Sequence, residues 1–180
     1  MITLDLQAPD LLAIADELAA SEADVKRAYN RALGQTARAL AAMARKGLRT
    51  ELQLRQAKAI RARLKVMKTK RGKAGVWFGA NDLPASSFKG TPARIASGVS
   101  FRGHKFGGAF SAKFKSGRKS IYRRLGSGRL PIAEQTVPIQ DQLNDYLETE
   151  LAGEVEALFF KFFSADLKAR SIYGIGAGKQ

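Results

Sequence analysis

Cysteine is absent from this 180-residue chain, and histidine and tryptophan occur once each. Without thiols the chain can build neither a disulfide framework nor a thiolate metal centre. A lone imidazole, His104, has no second histidine or cysteine with which to form a metal site or a triad, and it reads as a surface or turn histidine between Gly103 and Lys105. Acids are scarce in the middle of the chain, where residues 45–129 hold only Glu51 and Asp82. A catalytic pair of converging carboxylates has little to be drawn from there, and the C-terminal acids follow a solvated helix face. The longest apolar cluster, Ala157-Leu158-Phe159-Phe160 and then Phe162-Phe163 after Lys161, falls far short of the roughly 20 residues a membrane span needs. The first residues lack a cationic n-region and soon meet Asp10, Asp16 and Glu17, which is unlike a secretory leader. No Gly-Lys-Ser/Thr phosphate loop occurs, and Gly126-Ser127-Gly128 is not followed by the helix of a dinucleotide fold. These deficits predict a protein that is not an enzyme and uses no cofactor or metal.

Positive charge is what the chain has in excess. The net charge is +15, and it is unevenly spread. Residues 1–44 carry four Lys and Arg against six Asp and Glu, residues 45–129 carry 23 against two, and residues 130–180 carry four against eight. A segment this cationic repels itself unless its charges face solvent or an acidic partner, so a polyanion or an acidic protein surface is expected nearby.

Length predicts one domain over residues 1–180. Pro9 and Asp10 can open a short helix, and Ser21 three residues before Asp24 makes a weak capping box. Residues 22–61 read as mainly helical, with Val25, Tyr29, Ala32, Thr36, Leu40, Met43 and Gly47 on one stripe and a break near Gly47 or Thr50. Small residues such as Ala28, Ala32, Ala39 and Ala44 allow another backbone close. Residues 62–137 read as a basic β-rich core: a hairpin around Lys70-Arg71-Gly72-Lys73, a loop over 81–97, and a long strand KFGGAFSAKF with Phe106, Gly108, Phe110, Ala112 and Phe114 facing inward. Trp77 between glycines reads as core. Pro131 confines the last strand to an edge, an end or a bulge. Residues 138–168 read as a helix with Ile139, Leu143, Leu147, Leu151, Val155, Leu158, Phe162 and Leu167 as its apolar line, and 169–180 as a flexible glycine-rich tail. The fold class predicted is α+β, an antiparallel sheet core packed by a long N-terminal and a long C-terminal helix.

The order of these features, with "GVWFGANDLPASSFKGTP", "GGAFSAKF" and the arginine-rich strand "SIYRRLGSGRLPI" ahead of an acidic-to-apolar helix, resembles the phage minor tail protein Z family, tail-completion proteins of long-tailed phages and prophages. The resemblance runs from about Ala32 to Phe163. It implies a structural virion protein at the head-proximal end of the tail, present in the host cytoplasm during assembly, that supports head–tail joining. Implied partners are further copies of the chain in a ring, six-fold by family expectation, the tail tube or tail terminator protein, head–tail connector proteins, and the packaged DNA end, with no membrane. On this reading Arg118, Lys119, Arg123, Arg124, Arg129, Leu130 and Ile132 form the docking interface. The alternative is a non-catalytic, sequence-independent nucleic-acid-binding protein, since cations interleaved with Phe and Tyr are its usual footprint; inward-facing rings at 106, 110 and 114 would argue against it. A small nuclease or toxin is a third class, for which the residues offer little chemistry.

Overall fold

The computed structural model describes residues 8–68, 73–114, 117 and 119–172. The class is α+β with antiparallel sheets and long helices in the N- and C-terminal regions. The chain, expected as one domain, divides into two compact units. Unit 1 comprises Met1–Arg45, Arg63–Gly79 and Tyr146–Gln180; unit 2 comprises Lys46–Ala62 and Ala80–Asp145.

Unit 1 is helical apart from one hairpin. Helix α1 (Ala8–Glu17) has Pro9 in its first turn, where the missing N–H is not needed. Helix α2 (Glu22–Glu51) starts after Ser21, whose hydroxyl accepts from the Asp24 amide at 3.2 Å and donates to the Asp24 carboxylate at 2.6 Å. The serine half of a capping box therefore forms, while the Asp24 carboxylate takes the Ser21 hydroxyl in place of the Ser21 amide. Ala28, Ala32 and Ala44 are wholly buried, and Thr36 and Leu40 lie on the same line. Met43, expected on that stripe, is exposed. It sits one residue, about 100°, away from the four-residue repeat that runs through Leu40 and Ala44.

Helix α5 (Glu154–Ser171) supplies the aromatic part of this core. Phe159 and Phe163 are fully buried and stack with centroids 5.8 Å apart, and Tyr29 of α2 meets Phe159 edge-on at 5.5 Å. Leu11, Ile14 and Leu18 of the α1 region pack on the same cluster. The expected line holds at Leu151 and Val155, at and beyond a π-helical turn, Leu147–Leu151, that the Ala152 amide closes on the Leu147 carbonyl at 3.0 Å, and again at Leu167. It is corrected between them: from Val155 the buried positions step by four to Phe159 and Phe163, in place of the expected Leu158 and Phe162. Asp166, little exposed, joins two helices by pairing with Arg31 of α2 at 3.1 Å and Arg170 of α5 at 2.7 Å.

The hairpin of unit 1 pairs β1 (Leu64–Lys68) with β2 (Ala74–Phe78) in the register Val66↔Val76. Most of its expected turn lies outside the described residues. Leu64 and Val76 are buried, but Trp77, expected in the core, is 45% exposed. Its ring lies over Gly79, where an added Cβ would meet it at 2.9 Å, and Lys65 Nζ sits 5.7 Å from the ring centroid. Trp77 pairs with Lys65, so both occupy the wet face of the hairpin.

Unit 2 holds the remaining sheets and helices α3 (Lys58–Arg61) and α4 (Gln140–Tyr146), the latter in unit 2 up to Asp145. The expected loop at 81–97 contains β3 (Leu83–Pro84), a 3₁₀ turn (Ala85–Ser87) and β4 (Ala93–Ile95). Arg55 clips the segment after α2 onto this stretch, its Nε donating to the Phe88 carbonyl at 2.6 Å and its Nη2 to the Gly90 carbonyl at 3.1 Å. Phe88 and Phe101 are buried, and Arg102 places its guanidinium 5.0 Å from the Phe88 centroid.

The long strand expected over KFGGAFSAKF is two strands. β6 (His104–Gly107) pairs with β5 (Gly98–Phe101), which also takes β4; β7 (Ala109–Lys113) pairs with β8 (Lys119–Arg124), which takes β9 (Ile132–Glu134). Between β6 and β7, Gly108 adopts φ +65° and donates to the Ser97 carbonyl at 2.8 Å. That residue shifts the alternation by one, as glycine-based bulges do. The face assignment is corrected accordingly: Ala109 is buried, Phe110 is half-buried and Phe114 is 43% exposed. The remaining short strand, β10 (Thr136–Val137), pairs with β3.

Candidate docking interface

The β8–β9 hairpin carries most of the expected interface. Arg118 lies outside the described residues. Lys119 opens β8, Arg123 and Arg124 close it, Arg129 and Leu130 belong to the connecting loop, and Ile132 opens β9. Every residue from Arg123 to Pro131 is exposed. The loop is nevertheless tied. The Leu125 amide donates to the Pro131 carbonyl at 3.0 Å, and Arg124 Nη1 donates to the Arg129 carbonyl at 2.5 Å. Gly126-Ser127-Gly128 makes the bend, and the Leu130–Pro131 peptide is cis.

This closure displays two apolar side chains to water, Leu125 at 61% and Leu130 at 70% exposure. Among the described residues, Arg123, Arg124 and Arg129 take part in no ion pair. The hairpin thus combines uncompensated cations with apolar tips, the composition of a surface that meets an acidic partner with a hydrophobic centre. The structure brings Arg124, Arg129, Leu130 and Ile132 to one end, with Arg124 opposite Ile132 in the register. Lys119 is at the far end, facing Lys113 across the sheet. At about 3.4 Å per residue the two ends of β8 are about 17 Å apart. Strand alternation sends Arg123 to the opposite face from Arg124.

The face that carries Arg124 holds residues the sequence reading had placed inside. Phe110 pairs with Tyr122, their centroids 6.4 Å apart, and Phe114 meets Tyr122 edge-on at 4.7 Å. The Arg124 guanidinium lies 5.6 Å from the Phe110 centroid. Glu134, opposite Tyr122, accepts from the Ser86 amide at 3.0 Å and from the Ser120 hydroxyl. Burial first, and the Glu134 charge second, raise the Tyr122 phenol above its ordinary range. The Gly107-Gly108 pair was the signal for this arrangement, because adjacent glycines in a strand pattern mark a bulge.

His104 is exposed at the start of β6, its ring 6.5 Å from Phe106. Among the described residues no group of three His, Asp or Glu side chains is placed to hold a metal ion, and no helix is long and apolar enough to cross a membrane. Unit 1 has a small cleft, about 40 Å³, lined by apolar side chains including Leu33, Leu40, Val76 and Val155, with the unpartnered Thr36 hydroxyl among them. Its lining contains no titratable group. Comparison with protein-family models, with curated proteins and with solved structures returns no match in any of the three.

Proposed function

We propose that this chain is a non-catalytic structural subunit that docks through the β8–β9 hairpin, and that its setting is the head-proximal end of a phage tail. The observation that carries the docking reading is the tied, wholly exposed loop at residues 125–131, which presents Leu125 and Leu130 beside Arg123, Arg124 and Arg129. A flexible cationic loop would lose conformational entropy on binding; one already closed by its own hydrogen bonds loses less. The phage setting rests on the resemblance of the motif order to the minor tail protein Z family. In that setting the partners are other copies of the chain in a ring, the tail tube or terminator protein, and the head–tail connector. Around a ring every excess cation is repeated by symmetry, which strengthens the field that meets an acidic surface and tolerates the DNA end in the channel.

The test is reversal of charge in the loop, R123E/R124E/R129E, in a phage lacking its own copy of the gene. Thermal stability is expected to stay within about 0.5 kcal/mol of the parent, as for exposed sites in general, while tails remain incomplete. Full virion yield from the triple variant overturns the hairpin as the docking site. A parent chain that is missing from mature particles overturns the tail setting.

A further inference from the structure

We infer that the outer face of the β7–β8–β9 sheet is a stacking platform for single-stranded nucleic acid. The inference is independent of the tail setting and rests on the aromatic face, where the docking proposal rests on the loop tip. Four features converge on it. Phe110, Phe114 and Tyr122 form one contiguous cluster on the sheet, with neighbouring centroids 4.7 and 6.4 Å apart. Phe114 is 43% exposed, and Phe110 and Tyr122 are half-buried, so none of the three is enclosed in the core. Arg124 on the same face holds its guanidinium plane beside the Phe110 ring. Arg129 stands in the loop beyond Arg124 at the same end, whereas Lys113, Lys119 and Arg123 lie by alternation on the opposite face.

Rings fixed on an open sheet offer π-faces to bases, and cations along the strand direction meet the phosphates that connect them. Paired bases inside a duplex present no face to such rings, so the chemistry selects unpaired strands. An acidic protein would satisfy the cations but would leave three aromatic rings without planar partners. Glu134, a carboxylate on this face opposite Tyr122, accepts from the Ser86 amide and the Ser120 hydroxyl. Unit 2 carries 16 Lys and Arg against five Asp and Glu, a net charge of +11 that draws in a polyanion of any sequence.

The experiment is fluorescence anisotropy of a labelled oligothymidine titrated with the full chain, with a duplex of equal length and poly-glutamate as competitors. The oligothymidine is expected to bind more tightly than the duplex, and poly-glutamate to compete poorly. Phe114→Leu keeps apolar bulk but removes the ring, and is expected to weaken binding roughly 5- to 100-fold with an unchanged melting temperature. Arg124→Ala is expected to flatten the slope of log affinity against log salt by about 0.7. Tyr122→Ala serves as the second ring variant. Three results overturn the proposal: no oligonucleotide binding, equal affinity for strand and duplex with Phe114→Leu neutral, or displacement by poly-glutamate as efficient as by free oligothymidine. The last two identify a charge-only surface, the first a surface for protein alone.

Discussion

The two units use the same residue types for opposite ends. Unit 1 holds 15 Lys and Arg against 11 Asp and Glu, close to balance, whereas unit 2 holds 16 against five. In unit 1 the aromatic residues of α5 are spent on the interior: Phe159 and Phe163 are stacked at 0% exposure, and Asp166 neutralises two arginines nearby. In unit 2 an aromatic cluster of comparable size, Phe110, Phe114 and Tyr122, stands partly exposed on a sheet face next to Arg124, which makes no ion pair among the described residues. Phenylalanine content therefore says little about where a core lies. What separates the units is whether the surrounding charge is cancelled, which is the contrast the docking proposal builds on.

The sharpest way to break this contrast is to truncate one ring in each unit. Phe163→Ala removes a fully buried stacked ring and is expected to cost about 3 to 5 kcal/mol. Chemical denaturation reads the loss directly. Asp166→Ala leaves Arg170 little exposed and without its 2.7 Å partner, with an expected cost of about 3 kcal/mol that added salt does not restore. Phe110→Ala takes away a ring that is only half out of water, so the expected loss is about 1 kcal/mol, below the range for a full burial. If the Phe110 and Phe163 variants lose equal stability, the β7–β8–β9 face is core and the division between units fails.

Much of unit 1 and its helices could be read from residue order alone. Ser21 with Asp24, the alanines of α2 and Pro9 each act within a turn or two of chain, where spacing determines geometry. The hairpin register of β1 and β2 follows from alternation for the same reason. Errors arose where one residue shifted the phase of a long pattern. On α5 the buried line steps by four from Val155 to Phe159 and Phe163, in place of the expected Leu158 and Phe162, and Gly108 at φ +65° moved Ala109 inward in place of Phe110. Neither shift changes composition or hydrophobicity, so periodicity cannot register it. The cationic run was legible, and Arg123, Arg124, Arg129 and Leu130 are exposed. The neighbouring rings were not, because their exposure depends on that glycine.

The smallest expected effect probes the same face by titration. Burial and the Glu134 charge both raise the Tyr122 phenol above its ordinary value of 10.0, so the folded chain holds this proton to higher pH than the unfolded chain does. Below pH 10 both states are protonated and the phenol adds no pH dependence. Above it the unfolded state releases its proton first, and stability falls as pH rises towards the folded value. Lysine titration overlaps this window, so the wild type must be compared with Tyr122→Phe, in which only the phenol is lost. Denaturant midpoints between about pH 9 and 11 are expected to decline more steeply for the wild type. Glu134→Gln, which removes the second cause and keeps the first, is expected to fall between them. Parallel curves for wild type and Tyr122→Phe would mean that the phenol is free in water, and the anchored ring on which the aromatic face depends would be lost with it.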